Sequence, residues 1–151
     1  MDLRPLTETY AVAPQIEPGD LAGIAAAGYT TVICNRPDGE VPPPLQAAAI
    51  RAEAERHGLV FVENPVLPGQ LTPEVLARQE AAMAAADGPV LAYCASGNRS
   101  SIVWSFLKVG EIGVDPVLAA THAAGYAHEP LRPQFAAYAA ETPGPGQHSG
   151  D

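Results

Sequence analysis

Basic residues are scarce in this chain: 8 Lys and Arg stand against 17 Asp and Glu, a formal net charge of −9 over 151 residues. With no basic stretch to neutralise phosphates, nucleic acid is not expected as a general partner. A local site can still be positive on an acidic protein, so a small anionic substrate stays open. No apolar run is long enough to span a bilayer, and no membrane partner is expected. The opening residues Met1-Asp2-Leu3-Arg4-Pro5 lack the basic-then-apolar pattern of a secretory signal, which makes the cytoplasm the expected location. The 2 cysteines, Cys34 and Cys94, are too few for a disulfide scaffold and lack the His/Cys spacing of a zinc site. No metal or organic cofactor is implied. Neither an internal repeat nor a second domain is visible. The expectation is one domain over residues 1–141 and a Gly/Pro/Ser-rich, disordered tail, Thr142–Asp151.

What the chain does have is a hydrophobic fraction of 47%, enough at this length for a real core. Short β-branched runs alternate with longer alanine-rich periodic runs. Thr9–Ala13, Thr30–Asn35, Leu59–Val62 and Val90–Tyr93 read as buried strands. Helices are expected over Pro18–Ala27, Pro44–His57, Thr72 to about Ala86, Ser100–Gly110, Asp115–Ala123 and Glu129–Ala140. Gly28 and Gly58 end the first two, and Thr72 with Pro73 caps the third. The fold class is therefore α/β, a four- or five-stranded, mostly parallel sheet flanked by helices. Ligands in such sheets bind at the carboxyl ends of the strands, where both Cys94 and the loop after Asn35 fall.

The richest stretch is Val90-Leu91-Ala92-Tyr93-Cys94-Ala95-Ser96-Gly97-Asn98-Arg99-Ser100-Ser101. A buried strand ends on a cysteine, a loop of small residues follows, and a helix begins. Successive backbone N–H groups and a helix N-terminus then converge on one spot, an arrangement that binds anions and holds a reactive thiolate. Free cysteine is most often inert packing. Three neighbours argue otherwise for Cys94. Gly97 lets the loop curl around a bound group, Arg99 offers a planar bidentate clamp for an oxyanion, and Ser100 can cap the helix or bond the thiolate. Cys94 and Arg99 are thus candidate catalytic residues, and Ala95, Ser96, Gly97, Asn98 and Ser100 candidate substrate-binding residues.

Tyr93 to Ser100 resembles the active-site loop of rhodanese-type sulfurtransferases and, less closely, the signature loop of cysteine-dependent phosphatases. The phosphatase loop has room for a phosphate, with five residues between Cys and Arg. Here four intervene, Ala95 to Asn98, as in rhodaneses, and Tyr93 replaces the histidine before the tyrosine-phosphatase cysteine. With Asn35-Arg36-Pro37-Asp38-Gly39-Glu40 and Pro65-Val66, the chain from about Leu6 to Tyr138 resembles a narrower bacterial family. That family is the phosphatase-like (DUF442-type) domain of β-lactamase-hydrolase-like proteins. Its members are described as sulfur transferases or as phosphatase-like, and in some relatives the domain is fused to a sulfur dioxygenase that is not found in these residues. The resemblance implies a dual-specificity-phosphatase-like fold with a rhodanese-sized loop.

Pro37 and Gly39 are explained by a β-turn alone. Arg36, Asp38 and Glu40 are a solvated charge cluster or the rim of the site. In the second reading Arg36 binds the anion, and Asp38 orients an arginine or donates a proton. A phosphatase needs an acid to protonate the leaving alkoxide. The stretch where the resemblance would place it, Asn64–Gln70, has none. Sulfur transfer from thiosulfate expels sulfite and needs no such acid. The first expectation is therefore a sulfurtransferase forming a persulfide on Cys94, which passes its sulfur to an acceptor thiol. The alternative is a phosphatase working through a cysteinyl-phosphate, and a third is an anion or redox sensor using Cys94 and Cys34. Packing is expected for Cys34 and for His122, and surface exposure for His57 and His128.

Overall fold

The computed structural model describes residues 1–141. The Thr142–Asp151 segment expected to be a tail lies outside the described residues. Five strands form one sheet: β1 (Arg4–Pro5), β2 (Tyr10–Ala13), β3 (Thr31–Cys34), β4 (Val60–Glu63) and β5 (Val90–Tyr93). Their spatial order is β1-β2-β5-β3-β4, with β2 to β4 parallel and β1 alone antiparallel. The sequence did not announce β1, which is two residues ending on a proline. It pairs because the chain turns back, the N–H groups of Leu6 and Thr7 both donating to the Tyr10 carbonyl.

Every residue of β2, β3 and β5 is buried, as parallel strands covered on both faces must be. Alternation along β5 sends Leu91 and Tyr93 into one core with Leu21, Val32 and Ile50, and Val90 and Ala92 into another with Ile33, Trp104 and Phe135. The first core is closed by α1 (Leu21–Ala26) and α2 (Ala47–Arg56). The second is closed by α3 (Pro73–Ala85), α4 (Asn98–Ile112), α5 (Val114–Ala123) and α6 (Arg132–Glu141).

Capping chemistry sets the helix starts. The Thr72 hydroxyl accepts from the Val75 N–H at 3.2 Å with Pro73 at the first helical position, as expected. The first helix is shorter than its sequence span because Pro18–Asp20 closes as a 3-10 turn. The fourth begins at Asn98 instead of Ser100, which places Arg99 in its first turn. Two histidines depart from expectation. His122 is exposed, on the outer side of α5, while His128 is buried at 4% exposure.

Candidate active site

Cys94 follows the last residue of the central strand β5, fully buried at the sheet's carboxyl edge. Its N–H donates to the Ala13 carbonyl at 3.3 Å, so β2 fixes its backbone. The loop then folds back on the sulfur, the Gly97 N–H donating to Cys94 Sγ at 3.1 Å. Gly97 has φ of +92°, a left-handed conformation that a side chain rarely adopts. Ala95, Ser96 and Asn98 are exposed and Gly97 is buried, so the cradle opens to solvent on one side.

A Cβ on Gly97 would collide with the Tyr126 hydroxyl, which donates to the Ser96 carbonyl at 2.9 Å. The segment between α5 and α6 therefore braces the loop from behind. His128 stacks on Tyr126 with ring centroids 5.9 Å apart. The Ser101 hydroxyl donates to the Asn98 carbonyl at 2.8 Å, so His128 Nε2, 2.7 Å from that oxygen, is assigned as the donor to it. Burial lowers the His128 pKa.

Arg99 is half-buried and held tightly. Nη1 donates to Glu40 Oε2 at 2.9 Å and to the Val66 carbonyl at 2.7 Å, and Nη2 donates to Glu40 Oε1 at 2.8 Å. This bidentate bond to Glu40 holds the Arg99 pKa up, against the opposing effect of its burial. Glu40 is held below the usual carboxylate range, first by Arg99 and further by Arg36. Arg36 donates to Glu40 Oε1 at 3.1 Å and to Gln15 at 3.3 Å. One carboxylate thus bridges two guanidinium groups, and the turn after β3 is locked to the loop after β5.

The remaining sequence candidates have definite places. Asp38 Oδ1 accepts from the Ala47 N–H at 2.8 Å, which caps α2 beyond the Pro42–Pro44 run. The Ser100 hydroxyl donates to Asn35 Oδ1 at 2.8 Å, inside the protein. Asn35 is a hub: its amide donates to the Asn64 carbonyl and to Gln79 Oε1, both at 2.9 Å. Gln79 donates on to the Tyr10 hydroxyl at 3.0 Å, and that hydroxyl donates to the Ser100 carbonyl at 3.2 Å. Cys34 and Cys94 are free thiols. The Cys34 thiol donates to the Arg36 carbonyl at 3.3 Å, and burial raises its pKa.

Sequence reasoning gathered Glu40 into a charge cluster and chose Asp38 as its working member; the carboxylate that meets Arg99 is Glu40. It also passed over Tyr126, His128 and the Asn35–Gln79 pair. A signal existed for the last, since Asn35 closes a buried strand and Gln79 follows Val75 by four residues on the inner face of α3.

Residues 2–111 match the family described as the phosphatase-like domain of β-lactamase hydrolase-like protein. A β-lactamase hydrolase-like protein of Xylella fastidiosa is 31% identical over 128 residues, 83% of this chain and 30% of the relative. The chain thus spans under a third of the length of the curated relatives it matches. A candidate phosphatase of Neisseria meningitidis, solved by crystallography, is 31% identical and covers 91% of this chain and 99% of its own at a TM-score of 0.81. Pseudomonas aeruginosa TpbA, solved in complex with phosphotyrosine, shares the fold at 18% identity, 91% and 82% coverage and a TM-score of 0.61. These neighbours fit the phosphatase alternative better than the sulfur transfer expected first, and they bear out the dual-specificity-phosphatase-like fold.

Two outcomes follow from the bracing. Gly97→Ala will lose about 1–3 kcal/mol from conformational strain, with more from the collision. Adding Tyr126→Phe removes the hydroxyl, so urea denaturation of the double variant will show less than the summed cost; strict additivity would contradict the collision. His128, with its folded pKa below the ordinary 6.5, contributes stability that is intact above that pH and lost as pH falls through the lowered value. Wild type will therefore lose more stability than His128→Asn between neutral and mildly acidic pH. Equal losses would count against the buried neutral imidazole.

Proposed function

This chain belongs to the family of the phosphatase-like domain of β-lactamase hydrolase-like proteins, and from that premise we propose that it is a cysteine-dependent phosphatase. The observation that carries the reading is the Cys94 cradle: a buried sulfur at the carboxyl edge, a loop N–H on it at 3.1 Å, and, five residues on, an arginine clamped by Glu40. The Cys94 thiolate attacks phosphorus. A sulfur–phosphorus bond forms as the bond to the ester oxygen breaks, and the alcohol leaves with a proton taken from water. A second water then attacks the cysteinyl-phosphate, releasing phosphate and restoring the thiolate. Backbone N–H groups from Ala95 to Arg99 bind the phosphoryl oxygens together with the Arg99 guanidinium. Glu40 positions Arg99, and Arg36 screens Glu40. Held ionised by two arginines, Glu40 is a poor proton donor, and Asp38 is spent on a helix cap. The chemistry therefore favours esters whose leaving group departs without strong acid assistance.

One observation keeps sulfur transfer as a second reading. Four residues separate Cys94 from Arg99, a cradle suited to a single sulfur, and Asn64–Gln70 holds no acid. There the thiolate would take the outer sulfur of thiosulfate and release sulfite. The two are separated in one experiment on wild type and Cys94→Ser. Hydrolysis of 4-nitrophenyl phosphate that falls by roughly three orders of magnitude or more in the variant supports the phosphatase. A cyanide-labile persulfide on Cys94 after thiosulfate, with no ester hydrolysis, overturns it in favour of sulfur transfer.

A further inference from the structure

We propose that Tyr126 is a positioning residue for the Cys94 nucleophile: by holding the Ser96 carbonyl, its hydroxyl aims the Gly97 N–H at the reacting sulfur. The proposal rests on the reading of Cys94 as nucleophile and gives that reading a residue outside the cysteine loop.

One peptide unit carries both contacts. The Ser96 carbonyl accepts from the Tyr126 hydroxyl at 2.9 Å, and the Gly97 N–H of the same unit donates to Cys94 Sγ at 3.1 Å. A trans peptide is planar, with its C=O and N–H pointing in opposite directions. Pulling the oxygen outward therefore turns the N–H inward, onto the sulfur. A rotated plane would swing the carbonyl oxygen towards the cradle, where it repels a thiolate and an incoming anion alike. Ser96 is exposed, so water could satisfy its carbonyl in other orientations, whereas a fixed donor selects one.

The neighbouring carbonyls are tied as well. Ala95 accepts from the Gln15 N–H at 3.2 Å, Gly97 from the Ser101 N–H at 2.9 Å and Asn98 from the Ser101 hydroxyl at 2.8 Å. Those donors belong to the loop after β2 and to α4. The Tyr126 hydroxyl reaches Ser96 from 30 residues away.

Tyr126 itself is placed with little freedom. The α5 helix ends on Gly125, whose φ is +98° and whose N–H donates to the His122 carbonyl at 2.9 Å. The Tyr126 N–H donates to the Thr121 carbonyl at 2.9 Å. These two bonds close the helix end and deliver Tyr126 as the first residue beyond the left-handed glycine. The Arg4 guanidinium lies 5.2 Å from the centre of the ring, and Arg4 Nη1 donates to the Ala124 carbonyl at 3.4 Å. With His128 also stacked on the ring, the hydroxyl has a fixed direction.

The test is Tyr126→Phe, which removes one oxygen and keeps the ring, read in three ways on the whole protein. The kcat for 4-nitrophenyl phosphate will fall about tenfold or more, as expected when a donor at the reacting centre loses its aim. Alkylation of Cys94 by iodoacetamide, located by peptide mapping, will slow. The Gly97 amide, followed by NMR in protein carrying isotope-labelled glycine, will exchange with deuterium about tenfold faster. Arg4→Gln serves if the first variant fails to fold, and it will move the same readouts in the same direction by a smaller factor. Gly97 exchange left unchanged overturns the proposal whatever the activity does, because Tyr126 is then a structural support only. Faster exchange with unchanged kcat and alkylation overturns it as well. If wild type hydrolyses no ester, the phosphatase reading fails, and alkylation with exchange still decides the role of Tyr126.

Discussion

The ion pair between Arg99 and Glu40 joins the two parts of the chain on which the candidate site depends. Each partner comes from a loop at the carboxyl edge of the sheet, one after β5 and the other after β3. Both side chains are mostly shielded, with 16% and 26% of their surface exposed, so the pair is not the weakly coupled kind found on open surfaces. The geometry is bidentate, which fixes the plane of the guanidinium as well as its position. A third bond, to the Val66 carbonyl, draws in the loop after β4. Three of the four parallel strands thereby send their following loops to a single arginine.

Behind that pair lies a second layer that is almost wholly uncharged. Asn35, Gln79, Tyr10 and Ser100 satisfy one another in the interior, and each bond found there has a named donor and acceptor. Buried amides without partners would each be costly, whereas a closed circuit holds its members in place. The circuit ties the start of α4 to β2, β3 and α3. Tyr126 and His128 press on the same loop from the other side. The cysteine loop is therefore supported by packing and hydrogen bonds before any ligand arrives, which is the preorganisation that electrostatic catalysis requires.

The parallel sheet was legible in the sequence because its strands are short, apolar and β-branched; their spatial order, with β5 inserted between β2 and β3, was not. The boundaries of β5 and the Thr72 cap could be read directly from residue type. The start of α4 could not, since Asn98 and Arg99 look like loop residues until Gly97 turns the chain into a helix. The cradle was legible because cysteine, glycine and arginine lie within six consecutive positions of one another. Its supports were not, because they are long-range: Glu40 reaches Arg99 across 59 positions and Tyr126 reaches Ser96 across 30. Asp38 and Glu40 are alike on paper, and only the direction of the turn assigns one to a helix cap and the other to the arginine. His128 was misjudged for a similar reason, since nothing local to it reveals the ring stacking and the Ser101 contact that bury it.

The most direct measurement is rapid-quench mass spectrometry of the protein during turnover of an aryl phosphate, with the modified residue located by peptide mapping. The account predicts a transient phosphoryl group on the peptide containing Cys94, absent from Cys94→Ser. Turnover that proceeds with Cys94 unmodified throughout, or that survives Cys94→Ser, would contradict it.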